Sequence, residues 1–285
     1  MTLRSYPHDS GTLSLAKRLK VKFTINTNLP VYPGAQEKTN MQALNQTDQY
    51  LTELSLKGVR ESIGRRMKEA LDADLSYSDF LNTILFDEVQ FRQNARRQRL
   101  LKAAGFRTQA SLEGITYEKV RSLDKRQVQE IAQLNFLEDG INIIVFGATG
   151  VGKTYLATAI GNHACRCGRS VLFWKMNVLL EKFALARAEG TYLNLLKKIS
   201  SADLIIVDDF GIKALTGQQY QDFYDMLGER ESGKSTILTT QLPAENWNEV
   251  IPDPLVCEAI SDRLTARAIK LVLRGRASAA RLRRI

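Results

Sequence analysis

Between residues 42 and 104 apolar side chains recur at intervals of three and four: Leu51, Leu54, Val59, Ile63, Met67, Leu81, Leu85 and Val89. That spacing predicts amphipathic helices with these residues on the core side. Gly105, directly after RLLKAA, predicts the stop. Beyond the acidic LEDG the period changes. Short unbroken apolar runs, INIIVF, SVLFWK, ADLIIVDD and STILTT, read as strands, and KTYLATAIGNHACRCG reads as a helix ended by Gly168. Strands that are apolar on both faces and alternate with helices predict a parallel sheet covered on both sides, an α/β nucleotide-binding fold. The expected organisation is a leader at 1–40, a small all-helical domain at 41–120, and an α/β domain at 121–285 with a basic C-terminal tail.

The leader differs in texture. INTNLPVYPGAQEKTN is rich in Asn, Thr, Pro and Gly and has no sustained periodicity. It reads as a loose segment upstream of a start at Met41, with a basic targeting segment at LAKRLKVKF as the alternative. Composition narrows the class only a little. The 285 residues are 44% hydrophobic and 25% charged, ordinary for a globular protein. No apolar run approaches the length of a membrane span. Cys165, Cys167 and Cys257, with two histidines in the whole chain, make a poor metal set and suit a reducing cytoplasm.

The chemistry is concentrated at GATGVGKT, which follows a predicted strand and opens a predicted helix. Gly147, Gly150 and Gly152 allow the backbone N–H groups of Ala148, Thr149, Val151 and their neighbours, on to Tyr155, to close around phosphate oxygens. Lys153 adds a point charge, and the Thr154 hydroxyl suits Mg²⁺. Leu204 to Val207 then run into Asp208 and Asp209, placing paired carboxylates at a strand's C-terminal end, where α/β sheets bind ligands. Asp208 is assigned to Mg²⁺ and Asp209 to the attacking water. At the tip of STILTTQLP, Thr240 or Gln241 is placed to sense the terminal phosphate, although either could simply cap the strand. Arg263 in ISDRL has two readings, a surface ion pair or an arginine finger supplied to a neighbouring subunit.

The net charge of +9 lies in the flanks. Residues 141–262 carry 11 Lys and Arg against 14 Asp and Glu, whereas 263–285 carry eight basic residues and no acid. In FRQNARRQRLLKAAGFR a helix puts Arg92, Arg96 and Arg99 on one face, with Arg97 and Lys102 nearby. Such a stripe suits the phosphate backbone of double-stranded DNA, read without regard to base. It equally suits a solvated face. No aromatic residues interleave it, so stacking on single strands has no support.

Taken in order, RRQRLLKAAGFR, ASLEGITYEKVRSLDKRQVQEIA, GATGVGKTYLATAIGNHACRCGRSV, ADLIIVDDFGIKALT, TILTTQLPAENWNEVIPDP and AISDRL resemble the IstB-like transposition helper ATPases of bacterial insertion sequences. These are relatives of DnaC-type helicase loaders within the AAA+ class, and the resemblance runs from residue 41 to 285. It implies an AAA+ P-loop NTPase core with a parallel sheet flanked by helices. It also implies a bacterial, cytoplasmic, Mg²⁺-dependent ATPase that forms a ring or spiral homo-oligomer on duplex DNA and recruits or regulates a partner transposase. The alternative within the same resemblance is an ATPase that loads a replicative helicase. On the matching positions Lys153 and Thr154 stand for Walker A, Asp208 and Asp209 for Walker B, Gln241 or Thr240 for the sensor, and Arg263 for a finger acting in trans. The chain departs from the pattern twice. Asp209 stands where many AAA+ proteins have Glu, one methylene longer, which implies slow turnover. GRASAAR replaces a G-E-S-x-R ending, so no role is assigned to Arg281.

Overall fold

The computed structural model describes residues 37–117, 122–231 and 233–274. The leader up to residue 36 and the tail beyond 274, including Arg281, lie outside them. The chain divides into two units, 1–56 and 57–285. In the first, α1 (Glu37–Glu53) begins four residues inside the expected leader.

The second unit opens with a helical hairpin, α2 (Lys57–Asp72) and α3 (Tyr77–Ala104). Ser76 caps α3, its hydroxyl accepting from Asp79 N–H, and Gly105 ends it in the left-handed conformation at the predicted stop. Three devices join the helices. A Cβ on Gly58 would lie 2.6 Å from Phe91 Cβ and 2.8 Å from Glu88 Cα, so only glycine permits this approach. The buried Glu88 carboxylate accepts from Gly58 N–H at 2.7 Å and Val59 N–H at 3.1 Å, satisfying the start of α2, and pairs with Arg92 at 2.6 Å. Arg66 adds a bidentate pair to Asp87, both bonds 2.8 Å.

After α4 (Lys125–Ala132) and the single turn α5 (Asn135–Glu138) come five strands: β1 (Asn142–Gly147), β2 (Val171–Lys175), β3 (Leu204–Phe210), β4 (Ser235–Thr240) and β5 (Ala268–Leu273). Between them lie α6 (Lys153–Arg166), α7 (Met176–Ala188), α8 (Tyr192–Ser201), α9 (Gly217–Gly228) and α10 (Pro254–Thr265). The strands pair in the order β2-β3-β4-β1-β5, every pair parallel. Alternation along the strands splits the core in two. Ile143, Val145, Phe173, Ile206 and Ile237 pack with Leu156 and Ile160 of α6 and with α4 on one face. Ile144, Leu172, Ile205, Val207 and Leu238 pack with α7, α8, α9 and α10 on the other. Both faces are therefore dry, which is why these strands read as continuous apolar runs.

The structure adds to these expectations. Within the basic stretch 263–285, Ala268–Leu273 is an edge strand beside β1 that the sequence reading did not include. Arg267 and Lys270 hid it, because an edge strand exposes one side and tolerates cations there. The helical stripe is only half a core: Leu51 and Val59 are buried, but Leu54, Met67, Leu81, Leu85 and Val89 are exposed. In the hairpin α2 and α3 meet along Gly58, Ser62, Glu88 and Phe91, so much of the apolar stripe faces away from that seam. The hairpin also shares a unit with the sheet, since the turn after α3 lays Phe106 against Phe173 of β2, ring centres 5.9 Å apart. Among the described residues no helix is long and apolar enough to cross a membrane.

Replacing Glu88 by Ala leaves two backbone donors and a guanidinium without their acceptor. We expect a loss of about 2–3 kcal/mol at neutral pH, read from denaturant unfolding. Burial pushes the Glu88 pKa up, but the Arg92 guanidinium and the Val59 and Gly58 N–H groups together hold it below its ordinary 4.5. A depressed carboxylate stabilises fully above its unfolded value and loses that contribution as pH falls through the folded one. The gap between wild type and Glu88→Ala therefore narrows below about pH 4.5; an equal gap at pH 3 would contradict the charge-based account.

Candidate nucleotide site

The C-terminal ends of β1, β3 and β4 converge on a pocket of about 470 Å³. Residues 147–152 form the loop leaving β1. Gly152, at φ 100°, is the N-cap of α6 and supplies no side-chain cap. The first N–H groups of α6 are therefore free to meet an anion, and the helix dipole favours one there. Buried Lys153 folds back over the loop, its ammonium donating to the carbonyls of Gly147 at 2.8 Å and Ala148 at 3.0 Å. Burial lowers its pKa, and the charges of Asp209 and Asp208 oppose that shift.

Asp208 is completely buried. The Thr154 hydroxyl donates to its carboxylate, 2.9 Å from Oδ1 and 3.1 Å from Oδ2, and the Thr239 hydroxyl donates to Oδ1 at 2.6 Å. Burial raises the Asp208 pKa and neighbouring Asp209 adds to it, against the lowering effect of the two hydroxyls. Thr154 and Asp208 thus form a pair of hard oxygen donors of the kind that Mg²⁺ takes alongside nucleotide phosphates and water. The residues present fit that ion.

Asp209 is reached through a β-bulge. Val207 pairs with Leu238 and Phe210 with Thr240, so β3 has one residue more than β4 across this interval, and Asp209 adopts φ 63°. In a regular strand Asp208 and Asp209 would point to opposite faces; the bulge re-aims the second. Its carboxylate meets Lys175 Nζ at 2.7 Å, and its N–H donates to the Thr239 hydroxyl at 3.0 Å. The bond to Asp209 raises the Lys175 pKa.

Both sensor candidates line the pocket, with different partners. Thr240 is buried, its hydroxyl donating to Phe210 O at 3.0 Å and accepting from Leu242 N–H at 3.0 Å, which makes it a strand-end clasp. Exposed Gln241 reaches the phosphate loop, where its Oε1 accepts from the Thr149 hydroxyl at 2.7 Å. Lys175 and Thr239 were missed in the sequence. Lys175 ends the predicted strand SVLFWK, and a C-terminal strand end is the local signal that could have marked it; Thr239 gave no signal, because nothing local reveals the bulge.

Arg263 is at the opposite end of the sheet. Its carbonyl accepts from Asn142 Nδ2 at 2.8 Å, at the start of β1, with roughly 16 Å of strand between there and the loop. Its guanidinium sits 4.0 Å above the Tyr224 ring and 3.3 Å from Glu231, with Nη1 buried and without a partner among the described residues. It does not enter its own chain's pocket. On α3, Arg92, Arg96, Arg97, Arg99 and Lys102 are all exposed. Arg92 is tied to Glu88, Arg96 to Gly168 O at 3.4 Å, Arg97 to Asn94 and Arg99 to Ala95 O.

A parallel sheet in this order, with a glycine loop and lysine after β1 and a buried aspartate ending β3, defines an AAA+ P-loop NTPase core. The family model described as "IstB-like ATP binding protein" matches residues 49–284, and the chain belongs to that family. An insertion-sequence ATP-binding protein of Sinorhizobium fredii is 32% identical over 225 residues, 79% of this chain and 92% of that one. The insertion sequence IS21 ATP-binding protein of Pseudomonas aeruginosa is 28% identical over 81% of this chain and 88% of its own. The crystal structure of the DnaC helicase loader is similar over 52% of this chain and 89% of that one, at 22% identity and a TM-score of 0.45.

Thr239 allows a sharp test. Thr239→Val keeps the shape but leaves the Asp208 carboxylate and the Asp209 N–H each short of a partner inside the core. We expect unfolding to become easier by about 2 kcal/mol, with Thr239→Ser recovering most of it. Equal stability of Val and Thr at 239 would show that the bulge holds without the hydroxyl.

Proposed function

We propose that this protein is an ATPase of transposition, assembling on duplex DNA and regulating a partner transposase, with ATP hydrolysis timing the assembly. The observation that carries the ATPase part is the convergence of Lys153, Thr154 and Asp209 on one pocket beside the open end of α6, with Asp208 buried directly behind Thr154 and bonded to its hydroxyl. The names of the relatives support the transposition part.

In this reading the loop N–H groups and Lys153 hold the phosphates, the ammonium leaving the Gly147 and Ala148 carbonyls for phosphate oxygens. Thr154 and Asp208 hold Mg²⁺, which when bound neutralises developing phosphate charge. Asp209, steadied by Lys175, orients the attacking water, and its short side chain makes turnover slow. Gln241, already touching the loop through Thr149, reports on the terminal phosphate. Arg263, at the far end of the sheet, completes the site of a neighbouring copy. The arginines of α3 grip DNA phosphates.

This reading is open to direct test. Electron microscopy with duplex DNA, with and without an ATP analogue, is expected to show oligomers on DNA that depend on the nucleotide; a partner screen that recovers a replicative helicase and no transposase would sink the transposition reading. For the trans finger, Arg263→Ala is expected to bind nucleotide while hydrolysis falls on the order of 10³-fold, and Lys153→Ala to lose nucleotide-dependent assembly. Mixing the two inactive variants should restore part of the turnover, because some interfaces then join an intact Lys153 to an intact Arg263. No recovery on mixing would return Arg263 to a simple ion pair with Glu231.

A further inference from the structure

A second groove, of about 740 Å³, lies between the end of α3, the turn at 105–111 and α6. Lys102, Arg107 and Arg166 line it and no carboxylate does. All three are exposed, and none makes a hydrogen bond or ion pair among the described residues. Glu113 is within electrostatic reach of Arg166 but takes its hydrogen bonds from its own backbone and from Ser111. These cations therefore differ from Arg92, which Glu88 already neutralises in part. Three cations without an ion-pair partner around one groove make it favourable for an anion.

The groove follows α6 from Tyr155 to Arg166, roughly 16 Å at 1.5 Å per residue. That is the span of several phosphates at about 3.4 Å of duplex axis per nucleotide. Arg96, on the same helix as Lys102, rests its guanidinium on Gly168 O just past the end of α6. A single small anion would not use that length. Thr108 and Tyr155 line this groove and the nucleotide pocket alike, so whatever sits here shares a wall with the nucleotide.

We propose that this groove seats the phosphodiester backbone of duplex DNA, with Arg107 and Arg166 as principal contacts that the stripe on α3 does not include. The proposal rests on the DNA-binding reading above and deepens it by placing the DNA against the wall of the nucleotide pocket. The polyphosphate of a nucleotide has the same chemistry, and the test separates the two sources.

The experiment is the affinity of the full chain for a labelled duplex across a salt series, with wild type, Arg107→Ala/Arg166→Ala and Arg107→Lys/Arg166→Lys, each also titrated with an ATP analogue. The Ala pair is expected to bind duplex at least tenfold more weakly near 0.1 M salt and to flatten the slope of log K against log salt by about 2, roughly 0.9 per lost phosphate contact. The Lys pair should keep the slope, and analogue affinity and thermal midpoint should be unchanged in both. Wild-type duplex affinity and slope in the Ala pair would overturn the proposal while leaving DNA binding to α3. Loss of analogue affinity in place of duplex affinity would overturn it in favour of the nucleotide. No duplex binding by wild type at all would bring down the DNA reading and this proposal together.

Discussion

A carboxylate with no solvent contact is costly unless donors surround it, and Asp208 meets that constraint with two threonine hydroxyls from two other elements. Thr154 comes from the first turn of α6 and Thr239 from the end of β4. The aspartate therefore holds the phosphate-binding helix, the third strand and the fourth strand in one register. Thr239 does more, because the same oxygen accepts the Asp209 N–H and so fixes the bulge that points the second carboxylate at the pocket. Without this bridge a regular β3 would turn Asp208 and Asp209 to opposite faces of the sheet.

The remaining geometry follows from strand order. With β4 between β1 and β3, the loop and the acidic pair are separated by one strand whose tip, Gln241, already touches Thr149. The pocket thus lies along the C-terminal ends of neighbouring strands and against the start of α6. A further wall comes from outside the sheet: the turn after α3 brings Thr108 to the pocket while Phe106 packs on β2. A helix bearing an arginine row is in this way joined to the nucleotide pocket by apolar packing, with Arg96 adding a hydrogen bond to Gly168 O just past α6. Opposite it, Arg263 stands over Tyr224 at the far ends of the strands, outward-facing relative to its own site.

Much of this was legible in the residues. INIIVF, SVLFWK, ADLIIVDD and STILTT are strands within a residue or two, since burial on both faces demands unbroken apolar runs that few other structures need. The loop and its lysine were legible because phosphate binding dictates glycine spacing locally. β5 was not, because AIKLVL at an edge mixes cations with apolar residues. Nor was the exposure of Leu81, Leu85 and Val89, since a helical period reports a face and not whether anything covers it.

Local chemistry in the chain by itself therefore determined the sheet, the phosphate loop, the acidic pair and where the positive charge is concentrated along the sequence. Tertiary structure decided which side chains complete one another. Lys175 and Thr239 join the site, and Thr240 serves as a strand clasp while Gln241 reaches the loop. Arg92 is claimed by Glu88, and Lys102, Arg107 and Arg166 come together from two helices and a turn. The reason is that a periodicity or a motif records what one segment needs of its immediate surroundings. Pairings across a bulge or between helices far apart in sequence depend on register and packing, which only the folded chain sets.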